Sequence, residues 1–352
     1  MSAAHSPAQT GTLKRPLRNF PNYPRHNAPP VMKPVMSVCM PVYNGAAFLP
    51  RAFSSLAAQE FRDFEIVIVD DGSTDGSGNL AERLIAEGGL IGRVVSTPNR
   101  GAEQARDVAV AHTSTDVIAQ CDCDDWWAPT YLSDMMSTLT THPQVDALYS
   151  DMIDIYPDGR QIRKSDVATW VDLSQATQEG DLYFFSKGRF LQMVLGGHVM
   201  YPQCTVYRKR AYESAGPYAD GILDFRVSLD WYFSLRLARI AGIAFLKRPL
   251  LHRHFHSAST TGDSLRMFTC TCAIFRHVIS RWPLSAVERR TARRRAAGVA
   301  IWAAEAARDK NRWAALRFAT QSFLYQPTGE SIKQAIATMV PKLPHQMPKR
   351  NS

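Results

Sequence analysis

At 352 residues and 45% apolar composition, the chain is long enough for one large domain plus an accessory segment, and its make-up is that of a folded protein. It contains no run of the roughly 18 apolar residues that a membrane span needs and no apolar signal core near its start. The net charge of +9 is unevenly placed: residues 1–35 hold five Lys/Arg and no acid, residues 263–352 hold sixteen against five acids, and residues 36–262 carry a balance of −7. An acidic body suited to cations therefore lies between two basic ends suited to anionic surfaces.

Residues 1–34 contain seven prolines and little periodicity, and read as a flexible basic tail. From Val35 a regular alternation begins. "VMSVCMPVYN" is an apolar, β-rich run ending in polar residues. "AAFLPRAFSSLAAQ" follows as a helix with Leu49, Phe53 and Leu56 on one face. "FEIVIVDDGSTDGS" is a second buried strand, "NLAERLIAEG" a helix, "RVVSTPNRG" a short strand, "AEQARDVAVAHT" a helix and "DVIAQCDCDD" a further strand. Apolar strands separated by amphipathic helices predict an α/β fold, Rossmann-like, with a mostly parallel sheet and helices on both faces. Each strand runs into a polar cluster: Pro41–Asn44, Asp70–Asp75, Asn99–Gly101 and Asp122–Asp125. In an open parallel sheet these ends line one crevice, where ligands bind. No internal repeat is present. Residues 263–352 read as a basic helical segment built from "SLRMFTCTCAIFRHVISRW", "AVERRTARRRAAGVAIWAAEAARD", "RWAALRFATQSFLYQP" and "GESIKQAIATMV".

Neither G-x-G-x-x-G after the first strand nor G-x-x-x-x-G-K-[ST] occurs, which removes the main support for dinucleotide and P-loop readings. The "CDCDD" run offers two chemistries. If residues 122–124 stay extended, Asp122 and Asp124 share one face and Cys121 and Cys123 the other. Carboxylates select Mg²⁺ or Mn²⁺ and thiolates select zinc, but neither C-x-C pair has the usual spacing of a closed zinc site. The six cysteines, in no secreted-scaffold spacing, fit small half-buried residues of a reduced, cytoplasmic protein.

"SVCMPVYNGAAFLPRAFSSLAAQEFRDFEIVIVDDGSTDGS", "NRGAEQARDVAVAHTSTDVIAQCDCDDWWAPTYL", "CTVYRKRAYESAGPYADG", "SLDWYFSLRLARIAG" and "LLHRHFHSAS" together resemble the family-2 glycosyltransferases, inverting enzymes of the GT-A fold. The resemblance spans about residues 36–262 and implies a catalytic domain over 35–262. It implies that Pro41 and Tyr43 border the nucleotide base, that Asp71 hydrogen-bonds the base while Asp70 supports its loop, and that Asn99 and Arg106 order the loop over the donor. Asp122 and Asp124 match the D-x-D motif, Asp124 as the direct metal ligand and Asp122 at ribose or metal. Asp230 matches the general base, and His256 a histidine on metal or diphosphate. The implied cofactor is Mn²⁺ or Mg²⁺, the donor a nucleotide-diphosphate sugar such as a UDP-sugar, and the acceptor a glycan or lipid-linked hydroxyl in surface-polysaccharide synthesis. Departures are Leu229 where an acid usually precedes the base, Asp107 in place of asparagine, and Cys123 within D-x-D.

Each expectation has a plainer counterpart. Asp71 could cap a helix, Asp230 could be an acid on a helix dipole, and His252, His254 and His256 could be a partly exposed strand row. Trp126 and Trp127 could stack on a sugar or pack in the core; His198 and Tyr201 are candidates for the acceptor side. The arginines at 289, 290 and 293–295 could dock on an anionic membrane at its inner face, or simply face solvent over a packed apolar stripe. Nucleic acid is not an expected partner, since no motif accompanies the charge. Leu229 keeps open a catalytically silent nucleotide-sugar-binding or scaffolding relative.

Overall fold

The computed structural model describes residues 34–168, 171–223, 227–256, 263–329 and 332–333. The tail expected over 1–34 and the last helix expected at 329–340 fall almost wholly outside them. Strand β1 (Met36–Val42), β2 (Phe64–Asp70), β3 (Ile91–Ser96) and β4 (Val117–Gln120) alternate with helices α1 (Leu49–Ala57), α2 (Ser77–Glu87) and α3 (Ala102–Ala111). The anticipated stripe of Leu49, Phe53 and Leu56 is the buried face of α1. β1 is buried along its whole length, as its unbroken apolar sequence requires when both faces are covered.

The strands lie in the order β3-β2-β1-β4, all parallel. Beyond β4 come β10 (Thr205–Arg208), β6 (Ala147–Ile155) and β11 (Ile243–His254). β10 runs antiparallel to both its neighbours, and β6 and β11 are parallel. Six of these seven strands thus point one way and β10 alone points back. The α/β architecture expected from the alternation is the one found. Because the chain runs outward from β1 to β3 and then returns to β4 on the other side of β1, the carboxyl ends of β1 and β4 flank a topological switch point.

The register of β11 on β6 shifts twice, on either side of Pro249, which has no N–H to give the ladder. Its last residues therefore reach the acidic turn after β4. Helix α8 (Leu229–Ile240) precedes it and packs on α6 (Lys187–Gly196). The C-terminal segment forms α9 (Ser264–Arg281), α10 (Ala286–Ala307) and α11 (Arg312–Tyr325). Ser285 and Glu288 make a reciprocal capping box at the start of α10. A buried series including Ala292, Ala296, Ala303 and Ala307 lets α10 approach its neighbours α6, α9 and α11 closely. Residues from Pro34 onward form one compact unit, so these helices are part of the same body as the sheet.

Candidate active site

The loops after β1 and β2 are laced together by short polar side chains. Backbone N–H groups of Asn44, Gly45 and Ala46 donate to Ser73 Oγ, Ser77 Oγ and Asp75 Oδ2, and the Thr74 N–H returns a bond to Asn44 Oδ1. Gly72 adopts φ +77°, and a Cβ there would stand 2.9 Å from the Asn99 backbone nitrogen. Only glycine fits this contact between the second and third loops. Asn99 lies exposed at that edge.

Both acids of "VDDGS" hold loops. Asp71 is 3% exposed, and its carboxylate accepts from the backbone N–H of Arg100 (2.9 Å) and Gly101 (2.7 Å), holding the loop that leads into α3. Asp71 thus holds the third loop, and Asp70, expected to support its own loop, accepts from the Ser73 N–H through Oδ1. Pro41 is buried inside β1. Tyr43, 54% exposed, is the ring presented at this end of the crevice.

The acidic run is not a continuation of strand. β4 ends at Gln120, and residues 121–125 turn, with the Asp125 N–H reaching the Asp122 carbonyl at 3.3 Å. The alternating-face expectation is corrected accordingly: the turn gathers Asp122, Asp124 and also Asp125, with one carboxylate oxygen of each within 4.8 Å of the others. The cysteines still point elsewhere. Cys121 is buried and Cys123 packs against Gly45. Burial, together with the neighbouring acids, pushes both thiols far above their ordinary pKa, so neither offers a thiolate. Burial and mutual repulsion likewise raise the carboxyls of Asp122 and Asp125. A hard, oxygen-rich cluster under such repulsion fits a divalent cation.

Partners from distant elements fix this turn. Arg106, buried on α3, donates to Asp122 Oδ1 at 2.5 Å. His256 Nε2 lies 3.0 Å from Asp124 Oδ2, and its ring stacks on Phe48 at 4.4 Å. The His254 N–H donates to Asp125 at 3.1 Å, and Arg51 donates to the Asp124 carbonyl at 2.6 Å. The other two histidines of the row, His252 and His254, lie against Trp126, whereas Trp127 is a core residue stacked on Tyr131. The row therefore does not converge on one ion.

Asp230 stands in the first turn of α8, where its Oδ1 accepts from the Trp231 N–H at 2.8 Å. Its Oδ2 is 3.9 Å from His198 Nδ1. The His198 ring stacks on Trp231, its Nε2 faces the Met200 carbonyl, and burial lowers its pKa, favouring the neutral ring. Tyr201 sits against His198 and under the Arg253 guanidinium. The charge of Asp230 acts on both Asp122 and Arg106, which brings the expected base into the electrostatic field of the acidic turn.

Sequence reasoning passed over Asp125, Glu103 and the part of Asp107. The Asp107 carboxylate accepts from Tyr212 Oη and from the backbone N–H of Tyr218 and Ala219, tying α3 to the loop before α8. Of these, only Asp125 carried a signal, as the third acid of the run.

An open α/β sheet with a carboxylate cluster at its switch point defines a class of nucleotide-handling proteins. Residues 37–216 match the Glycosyl transferase family 2 profile, and the chain belongs to that family. It is 29% identical to chondroitin synthase of Pasteurella multocida over 232 residues, covering 66% of this chain and 22% of that protein. It is 27% identical to the PGL/p-HBAD biosynthesis glycosyltransferase of Mycobacterium tuberculosis over 231 residues, 63% of this chain and 74% of that one. The chain spans less than two thirds of the length of several curated relatives that it matches. Among solved structures, S. aureus TarS residues 1–349 in complex with UDP-GlcNAc aligns with a TM-score of 0.59 at 18% identity, over 86% of this chain and 90% of that one. The mannosyltransferase PcManGT of Pyrobaculum calidifontis in complex with GDP-Man and Mn²⁺ aligns with a TM-score of 0.54 at 16% identity, over 90% and 91%. These neighbours share the GT-A fold.

Proposed function

We propose that the protein is a metal-dependent inverting glycosyltransferase that moves a sugar from a nucleotide-diphosphate donor to a hydroxyl of a glycan or lipid-linked acceptor, in polysaccharide synthesis. The observation that carries this reading is the turn at 122–125: three carboxylates within 4.8 Å, braced by His256 and Arg106, with its thiols protonated and turned aside. Asp124 and Asp122, with Asp125 behind them and His256 alongside, would hold Mn²⁺ or Mg²⁺. An ion there would offset the charge that develops on a departing diphosphate. Tyr43 offers its exposed ring to the base, Asn99 flanks the donor, and Asp71 keeps the intervening loop in place. Asp230 takes the acceptor proton as the hydroxyl attacks from the side opposite the leaving group.

The test is calorimetric titration of UDP, GDP and dTDP with and without Mn²⁺, on the wild type and on Asp124→Ala and Asp230→Asn. Manganese-dependent binding of one nucleotide is expected, lost in Asp124→Ala and kept in Asp230→Asn. Turnover of the matching nucleotide-sugar should fall by about 10²–10⁴ in Asp230→Asn, the scale of a general base. Normal turnover by that variant would remove Asp230 from the mechanism. The second reading, a silent binding or scaffolding relative, is favoured by Leu229 and predicts nucleotide binding with no turnover in any variant.

The C-terminal helices support a peripheral membrane location for the same enzyme. Trp313 is 82% exposed on α11, Phe323 and Leu324 are exposed on the same helix, and Arg290, Arg293 and Arg294 are exposed on α10. Exposed aromatic and aliphatic side chains with arginines nearby suit an anionic lipid surface. No helix among the described residues is long and apolar enough to cross a membrane.

A further inference from the structure

Where the family resemblance leads one to expect an acid just before the base, this chain has Leu229, which is 1% exposed and packed in the core. A side chain in that pocket cannot reach an acceptor. A different acid lies nearby. Glu103 is in the first turn of α3, three residues before Arg106, and that spacing places both on one helix face. Arg106 is the residue that grips Asp122.

An acid in the first turn of a helix is ordinary when it is solvated, because the dipole favours it. Glu103 is not solvated: it is 7% exposed. The charges that act on its carboxyl are, in order of effect, Asp230, Arg106 and Asp122. On the α9 side it acts in turn on Cys270. The same helix face carries Arg106, bonded to Asp122, and Asp107, bonded to the loop that leads to α8 and Asp230. The backbone amide of Glu103 donates to its own carboxyl. Beside it, the buried Arg106 Nε has no hydrogen-bond partner among the described residues. A buried acid facing two like charges, next to an unanswered donor, is unfavourable for folding alone. Burial and the Asp230 charge push it up to about 7, so near neutrality it can accept or donate a hydrogen bond.

We propose that Glu103 supplies from α3 the acceptor-side carboxyl that position 229 lacks, hydrogen-bonding a hydroxyl of the acceptor sugar next to the one Asp230 deprotonates. This inference rests on the glycosyltransferase reading of the site. It makes Glu103 an acceptor-binding residue and leaves the donor site to the acidic turn.

The experiment compares wild type, Glu103→Gln and Glu103→Ala, using the nucleotide-sugar whose nucleotide binds in calorimetry and p-nitrophenyl glycosides as acceptors. Both nucleotide affinity and slow donor hydrolysis by water should stay within about twofold of wild type. The KM for the glycoside should rise about tenfold or more in Glu103→Ala, the scale of one hydrogen bond to a charged group, and less in the isosteric Glu103→Gln. An unchanged glycoside KM in both variants overturns the proposal. So does a parallel loss of nucleotide affinity in Glu103→Gln, which would assign the residue to the donor or to the fold. A wild type that binds nucleotide but transfers to no glycoside is measured by hydrolysis alone, and loss of hydrolysis in Glu103→Gln then overturns the proposal, since water needs no sugar contact; retained hydrolysis with thermal stability above wild type at pH 8 supports it. Failure of wild type to bind any nucleotide is a different result and falls on the reading of the site itself.

Discussion

Glu103 gives the sharpest prediction at the scale of a single residue. Its carboxyl is raised from the ordinary glutamate value to about 7 by burial and by Asp230, with Arg106 opposing and Asp122 adding to the shift. Between the two values the folded chain holds a proton that the unfolded chain has released, so stability falls as pH rises through this window and the full penalty is present above pH 7. Glu103→Gln should therefore stabilise the protein by roughly 1–3 kcal/mol at pH 8 and hardly at all at pH 4.5. Urea unfolding of both proteins at the two pH values checks this, and an equal difference at both would contradict it. The residue was invisible as a site component in the sequence, where it reads as a solvated helix acid. What makes it unusual is burial against a carboxylate 127 positions away, and no local pattern encodes that. Asp124, Asp122 and Asp230 could be singled out as candidates because a diphosphate leaving group would demand their residue types in a recognisable context. The loop-holding part of Asp71 was not, since a carboxylate beside a crevice looks the same whether it faces a base or two backbone amides.

Among the elements, the loops carry the site and the sheet merely aims them. The β2–α2 loop touches the third loop through Gly72, whose φ of +77° and missing Cβ are both needed. Gly72→Ala should cost about 1–3 kcal/mol and weaken nucleotide binding by displacing Asn99, while Asp124 keeps its contact with His256. Thermal melting and nucleotide titration of this variant measure the two effects, and a variant with wild-type values for both would show that the loops move independently. The alternation of strands and helices through α3 could be read directly, because buried parallel strands are apolar throughout and amphipathic helices are not. The end of β4 could not. Apolar periodicity says where a strand is buried, but pairing with β10 reaches only Ala119 and pairing with β1 ends at Gln120 with a last bond from the Cys121 N–H to the Cys39 carbonyl, and the residues beyond are free to turn. That early end is what brings Asp125 into the cluster.

For the whole molecule, charge is the feature best seen in the sequence and packing the least. The arginine cluster was expected as a basic face, yet the helices divide it. Arg289 bonds the Ile279 carbonyl, and Arg295 turns inward over Trp231 and Trp302. The exposed apolar residues of α11 extend the surface left to the remaining arginines. If this face meets lipid, the full chain should sediment with phosphatidylglycerol vesicles and not with phosphatidylcholine ones. Trp313→Ala with Leu324→Ala should weaken that binding several-fold while nucleotide affinity is kept, and unchanged sedimentation would leave the helices a purely structural role.

The reversed strand inside the parallel part of the sheet, β10, has a consequence for how the sheet is made. It comes from residues 205–208, yet it lies between β4 and β6, both of which are synthesised at least fifty residues earlier. Until it arrives, neither of those strands has its inner neighbour, and the growing chain presents two apolar edges with unanswered amides and carbonyls. The two halves of the crevice can be joined only by a late insertion from a distant part of the chain, a slow kind of closure. The acidic turn at 122–125 is thus made early, but it comes into the field of Asp230 only after the seam of the sheet has been sewn from the middle.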